Sequence, residues 1–212
     1  MTTSEWERLA AAMRGCTACA ELVAGRSTVV VGEAPAAPRL ALVGEAPGAA
    51  EDAAGRPFVG KAGQLLDRLL AEVGLRRDEV AVLNTVKCRP PGNRPPKPAE
   101  LASCTPFLRA QLLLLRPSTG RQRTQRSGVR GQAAASSRLI VVALGLTAVR
   151  WFLGRSASLA AARGVVHEVE VDGLRMGLIA TYHPSAAIRF GPAGAPLAAL
   201  REDLLAAAKA TE

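Results

Sequence analysis

Apolar runs of two kinds alternate along this 212-residue chain, and that alternation constrains the fold more than any other feature. "RLALVG" (39–44), "VAVLNTV" (80–86) and "RLIVVALG" (138–145) are short and almost uninterrupted. Such runs suit strands buried on both faces. Between the first two, "GKAGQLLDRLLAEVG" (60–74) places Leu65, Leu66, Leu69, Leu70 and Val73 at helical spacing. "AELASCTPFLRAQLLLL" (99–115) reads as a helix with Pro106 as a kink. "VVHEVEV" (165–171) and "MGLIATY" (176–182) read as strands around a turn at Asp172-Gly173, and "APLAALREDLLAAAKA" (195–210) as a closing amphipathic helix. Strands that alternate with helices predict an α/β protein. The expectation is one three-layer α/β/α domain over residues 1–212, with a central, mainly parallel four-stranded sheet.

Composition narrows the classes. No apolar run approaches the ~18 residues of a membrane span. The opening "MTTSEWERLAAAMRG" is a charged amphipathic helix, not a secretory signal. A soluble, cytoplasmic protein without a membrane partner is expected. The net charge is +9, and its distribution says more than the sum. From Leu101 to His167 there is no Asp or Glu, while Arg109, Arg116, Arg121, Arg123, Arg126, Arg130, Arg138, Arg150, Arg155 and Arg163 all fall there. A stretch of one sign is a footprint for phosphates. Within it, 118–137 is polar, Gly/Ser-rich and without a periodic apolar face. It reads as a flexible basic insertion, either a tolerated surface loop or an arm that contacts DNA.

The four cysteines are Cys16, Cys19, Cys88 and Cys104. Disulfides do not suit an intracellular chain. A redox CxxC would leave Cys88 and Cys104 without a role. Four thiolates together suit tetrahedral zinc or an iron–sulfur cluster, and spacing does not separate these two.

The residues that follow the strands are "GEAPG", "NTVKC", "LG" and "HPS". In open α/β sheets, ligands bind beyond the carboxyl ends of strands, so all four segments are expected on one rim. That rim takes His183, one of only two histidines, out of a purely structural role.

"VGEAPGAAEDAAGRPFVGKAGQLLDRLL" (43–70) contains neither a Walker A motif nor GxGxxG spacing. It resembles the first motif of the iron–sulfur uracil-DNA glycosylases, family 4 of that superfamily. "NTVKCRPPGNRPP" (84–96) is similar to the second motif and "HPSAAIR" (183–189) to the third. The cysteine arrangement resembles the family's cluster ligands, and the likeness covers nearly the whole chain outside 118–137. It implies a DNA-repair enzyme that flips uracil out of single- or double-stranded DNA, hydrolyses its N-glycosidic bond and leaves an abasic site. It also implies a 4Fe-4S cluster on Cys16, Cys19, Cys88 and Cys104, structural and not catalytic, in a monomer.

The resemblance assigns roles residue by residue. Phe58 stacks on uracil. Asn84 offers one donor and one acceptor to the O4 and N3–H edge, which cytosine mismatches. His183 donates to O2 as negative charge grows there. The best-known relatives carry an Asp where this chain has Ala46, so Glu45 becomes the candidate to orient water or stabilise the cationic sugar. Backbone N–H groups around Ala46 face the uracil. Glu51 is a candidate wall near C5, where thymine's methyl must be excluded, and Asp52 complements a helix dipole. Arg89, Arg94 and Lys97, on a proline-stiffened loop, are candidates to meet phosphates. Ile188 and Arg189 are candidates to wedge into the vacated stack.

A related class captures uracil-DNA covalently through a histidine beside the second motif. This chain has none between Asn84 and Cys104, which favours turnover. A non-catalytic iron–sulfur DNA-binding module is the other alternative. If 118–137 is an arm on the DNA, deleting it makes the plot of log binding constant against log salt shallower, measured by anisotropy titration; an unchanged slope removes the arm.

Overall fold

A single sheet with the strand order β2-β1-β3-β5-β4 organises the chain. The computed structural model describes residues 2–116 and 138–211. The basic insertion expected at 118–137 lies outside the described residues. The strands are β1 (Leu40–Gly44), β2 (Val80–Asn84), β3 (Leu139–Leu144), β4 (Val166–Val171) and β5 (Leu174–Thr181). β1 pairs in parallel with β2 and with β3, β3 pairs in parallel with β5, and β4 runs antiparallel to β5. The α/β class and the mainly parallel sheet are as expected. The count is not: there are five strands, not four.

The fifth strand has a local cause. Asp172 and Gly173 have φ of 48° and 81°. Two left-handed residues make the tight hairpin turn whose twist matches paired strands. The turn lays β4 against β5, from Val171 opposite Leu174 to Val166 opposite Ile179. β4 alternates between exposed and covered positions, as an edge strand does.

Every residue of β1, β2 and β3 is buried, which explains their unbroken apolar runs. Leu40, Leu42, Val80, Val82, Ile140 and Val142 pack on one face with Leu66, Leu69 and Leu70 of the helix Lys61–Glu72, and with Leu200 and Leu204 of the helix Ala195–Lys209. Ala41, Val43, Ala81, Leu83, Val141 and Ala143 pack on the other face with Leu108 and Leu112 of the helix Pro98–Leu114 and with Ala148 and Val149 of the helix Leu146–Leu153. Each fully buried Leu or Val contributes roughly 1.5–3 kcal/mol. The helix Pro98–Leu114 runs through Pro106 without a break.

In chain order the helices are α1 (Thr3–Arg14), α2 (Ala20–Gly25), α3 (Ala49–Ala54), α4 (Lys61–Glu72), α5 (Pro98–Leu114), α6 (Leu146–Leu153), α7 (Leu159–Ala162), α8 (Pro184–Phe190) and α9 (Ala195–Lys209). α1 and α2 build a third apolar cluster, where Met13 and Leu22 meet Val86, Cys88 and Cys104. Among the described residues no helix is long and apolar enough to cross a membrane.

Candidate active site

β1 pairs on both sides, so its carboxyl end faces those of β2 and β3, with β5 next in line. The segments beyond these strands are stitched together. Thr85 N–H donates to the Gly44 carbonyl at 2.9 Å, Val86 N–H to the Glu45 carbonyl at 3.0 Å, and Gly145 N–H to the Thr181 carbonyl at 2.9 Å. Above them lies a cavity of about 330 Å³. Glu45, Ala46, Glu51, Phe58, Asn84 and His183 all line it. Its size is at the small end for ligand sites.

Glycines make that convergence possible. A Cβ on Gly44 would fall 2.5 Å from Asn84 Oδ1 and 2.6 Å from Phe58 Cζ. A Cβ on Gly63 would lie 1.8 Å from the Phe58 carbonyl oxygen. Phe58 itself has φ +50°. That conformation costs a bulky residue about 1–3 kcal/mol, so surrounding contacts must hold it. Its ring stands 5.6 Å from the His183 ring at 32°.

Asn84 is 2% exposed, and its Oδ1 has no hydrogen-bond partner among the described residues. A buried acceptor without a partner costs about 1–3 kcal/mol, which a ligand N–H would relieve.

His183 caps α8. The Ser185 backbone N–H donates to Nδ1 at 3.2 Å, and the Ser185 hydroxyl lies 2.8 Å from the same nitrogen. With Nδ1 an acceptor, the proton of the neutral ring sits on Nε2. Burial pushes the pKa of His183 down to about 4, with the Glu51 carboxylate opposing. The ring is therefore a neutral N–H donor at physiological pH.

The carboxylates divide their work. Glu45 accepts a hydrogen bond from the Thr147 hydroxyl of α6. Glu51 uses Oε2 for the Gly48 N–H at 3.0 Å, and Oε1 for Val59 and Gly60 N–H at 2.9 and 2.8 Å. It braces the Phe58 loop. Asp52, 2% exposed, lies outside the cavity and accepts from the backbone N–H groups of Ser27 at 2.9 Å and Thr28 at 3.3 Å.

The proline-stiffened loop is tied down more than its sequence indicates. Arg94 lines the cavity, but its guanidinium holds Glu100 at 2.9 and 2.7 Å and also reaches Glu21. Lys97 pairs with Glu21, and Arg89 donates to Asn93 at 2.8 Å. Ile188 is 45% exposed, and Arg189 beside it is exposed as well. Phe190, not singled out in the sequence, is 64% exposed on the same helix.

Cys16, Cys19, Cys88 and Cys104 are all free thiols. Cys88 is close enough to Cys16 and Cys19, and Cys104 to Cys88 and Cys19, for their charges to act on one another. Burial pushes Cys104 up to about 11 and raises Cys88 as well. Arg26 donates to Cys88 Sγ at 3.0 Å and to the Cys16 carbonyl at 2.8 Å, so one side chain spans both halves of the set. Among the described residues no three His, Cys, Asp or Glu side chains are gathered tightly enough to grip one metal ion.

Sequence reasoning missed Gly44, Gly63, Thr147, Ser185 and Arg26. Ser185 stands two residues from His183, the one local signal among them. Gly63 acts on nearby Phe58, while Gly44, Thr147 and Arg26 act on partners remote in the chain.

The family model of the uracil DNA glycosylase superfamily matches residues 31–120. A type-4 uracil-DNA glycosylase of Thermotoga maritima is 40% identical over 178 residues, which cover 84% of this chain and 80% of the relative. The type-4 uracil-DNA glycosylase of Pyrobaculum aerophilum is 37% identical over 76% of this chain and 67% of the relative. That of Archaeoglobus fulgidus is 35% identical over 76% of this chain and 66% of the relative.

NMR titration of the imidazole nitrogens is expected to show His183 neutral, with the proton on Nε2, across pH 6–8, and protonated only near pH 4. An inflection near the ordinary histidine value contradicts this. Between those two pH values the unfolded chain binds a proton that the native state refuses. The His183 contribution is therefore fully present above about 6.5 and is lost as pH falls toward 4.

Proposed function

The chain belongs to the type-4 uracil-DNA glycosylases of the uracil DNA glycosylase superfamily, and on that premise we propose that it flips uracil out of DNA and hydrolyses the N-glycosidic bond, leaving an abasic site. The observation that carries the reading is the meeting of an unpaired buried Asn84 Oδ1, the Phe58 ring and a neutral His183 at one cavity beyond the strand ends.

A base inside a duplex must leave the stack to reach such a cavity. Once there, it stacks on Phe58. Asn84 Oδ1 accepts from uracil N3–H while Nδ2 donates to O4. Cytosine carries an amino group at position 4 and no hydrogen on N3, so both contacts fail and polar groups stay buried without partners. As the bond to the sugar breaks, the pyrimidine leaves as an anion with charge on O2. The Nε2–H of His183 donates there more strongly in the transition state than in the ground state, an effect worth ~10²–10³ in rate. Ser185 holds the tautomer that makes this possible. Glu45, steadied by Thr147, orients the attacking water and stabilises the cationic sugar. The backbone N–H groups around Ala46 face the uracil. Glu51 acts by bracing the Phe58 loop, because its oxygens are engaged by Gly48, Val59 and Gly60.

Ile188 is the wedge that fills the vacated stack, with Phe190 beside it. Phosphate contacts fall to Arg189 and Arg89 before Arg94 and Lys97, whose charges already face Glu21 and Glu100. On this reading the protein acts as an intracellular monomer on single- or double-stranded uracil-DNA.

Cys16, Cys19, Cys88 and Cys104 hold a 4Fe-4S cluster. The four free thiols would supply the complete ligand set of such a cluster. Burial keeps Cys88 and Cys104 protonated until metal replaces the proton. Bound there, the cluster cross-links the 16–19 segment to Cys88 and α5 and takes no part in the hydrolysis.

The test is an excision assay on single- and double-stranded oligonucleotides that contain uracil, with thymine as control. The wild type releases uracil and leaves thymine. His183→Ala loses about 10²–10³-fold in rate while it keeps DNA binding, and Asn84→Asp weakens excision. Uracil-DNA trapped without base release, or wild-type rates in His183→Ala, overturns the assignment. Iron analysis tests the cluster separately: about four irons per chain are expected, and Cys88→Ser loses them.

A further inference from the structure

Phe58 occupies a left-handed backbone conformation between α3 and α4, and no hydrogen bond of a regular element holds it there. The polar backbone groups of residues 57–60 are held by two ionic side chains. Glu51 takes the N–H groups of Val59 and Gly60 at 2.9 and 2.8 Å. Arg77 takes the carbonyls: Nη2 donates to Pro57 at 2.7 Å and Nη1 to Phe58 at 3.3 Å. Arg77 is itself anchored by Asp67 of α4 at 3.0 Å and by Glu33 at 3.1 Å. Glu33 also binds Arg56 Nε at 2.5 Å, so a second residue of the loop is tied to the same carboxylate. Arg77 does not line the base cavity. It lines a separate cleft with Glu33, Arg56 and Asp78.

We propose that Arg77 is a positioning residue for base recognition: by gripping the Pro57 and Phe58 carbonyls from behind, it sets the Phe58 ring at the angle at which it receives the base. The proposal rests on the reading that Phe58 stacks on uracil. A guanidinium suits the task because its planar fork reaches two carbonyls and two carboxylates at once. Glu33 and Asp67 balance its charge. The ring needs such a grip because its carbonyl is pressed into the space left by Gly63, and the backbone would otherwise relax out of the left-handed region.

A double-mutant cycle on the cluster-loaded protein tests this. Arg77→Met keeps the aliphatic stem and removes the donors, and Phe58→Leu removes the stacking face. Two quantities are read: kcat/KM on a uracil oligonucleotide and inhibition by free uracil. Arg77→Met is expected to lose about tenfold in both, because a displaced ring weakens base binding. In the Phe58→Leu background the same change costs less than about twofold, because the ring it positions is gone. Losses that multiply independently in the double variant overturn the proposal and leave Arg77 a general stabiliser. If Arg77→Met does not fold, Arg77→Lys carries the same cycle, since it keeps the charge and loses the fork; wild-type values in Arg77→Lys overturn the proposal. If Phe58→Leu by itself leaves both quantities unchanged, the stacking reading fails, and the inference fails with it by a distinguishable route.

Discussion

Parallel pairing of β1 with strands on both of its sides is the constraint on which the rest depends. Parallel strands carry their carboxyl ends to one edge, and here that edge collects Glu45, Asn84, Gly145 and His183 from segments far apart in the chain. Both faces of the sheet must be covered, because every residue of β1, β2 and β3 is buried. Covering them takes the helices that also supply Gly63, Asp67 and Thr147. The site is thus a consequence of how the sheet is buried.

Pre-organisation in the site comes from pairing the polar groups that hold its loop, its imidazole and its carboxylate. The Phe58 loop is held by Glu51 and Arg77, the imidazole by Ser185 and the Glu45 carboxylate by Thr147. Asn84 Oδ1 stands apart as a buried acceptor left open. A rigid surround with an open acceptor lowers the ordering cost of binding and puts the discrimination in the groups left unpaired. Glycines 44 and 63 act by what they lack, since either side chain would collide with Phe58.

The cysteine region applies the same logic at a greater distance. Lys87, 1% exposed, donates to the Asn84 carbonyl at 2.7 Å and to Gln111 at 2.5 Å, and Cys88 follows it directly. The strand end that carries Asn84 is therefore joined to α5 by buried polar contacts. Arg26 closes the set from the other side. Cys88 lies four residues of chain beyond Asn84.

The sequence by itself determined the strands, the helices and the rim on which "GEAPG", "NTVKC" and "HPS" meet, because burial periodicity and strand ends are local properties that residue order records. Glu45, Ala46, Asn84 and His183 stand at or just beyond strand ends, the roles of these residues and of Glu51 and Phe58 came from the resemblance of the motifs, and all six line one cavity. The segment 165–171 and its turn were legible as well, and its pairing with β5 is what adds it to the sheet as a fifth strand. What each polar side chain binds was decided by tertiary structure alone. Arg94 and Lys97 read as candidates for phosphates and face Glu21 and Glu100, Glu51 lines the cavity and also braces a loop, and Arg77 carried no motif at all. A hydrogen bond or ion pair forms between groups that the fold brings within about 3 Å. Partners tens of residues apart leave no periodic trace in the chain that encodes them.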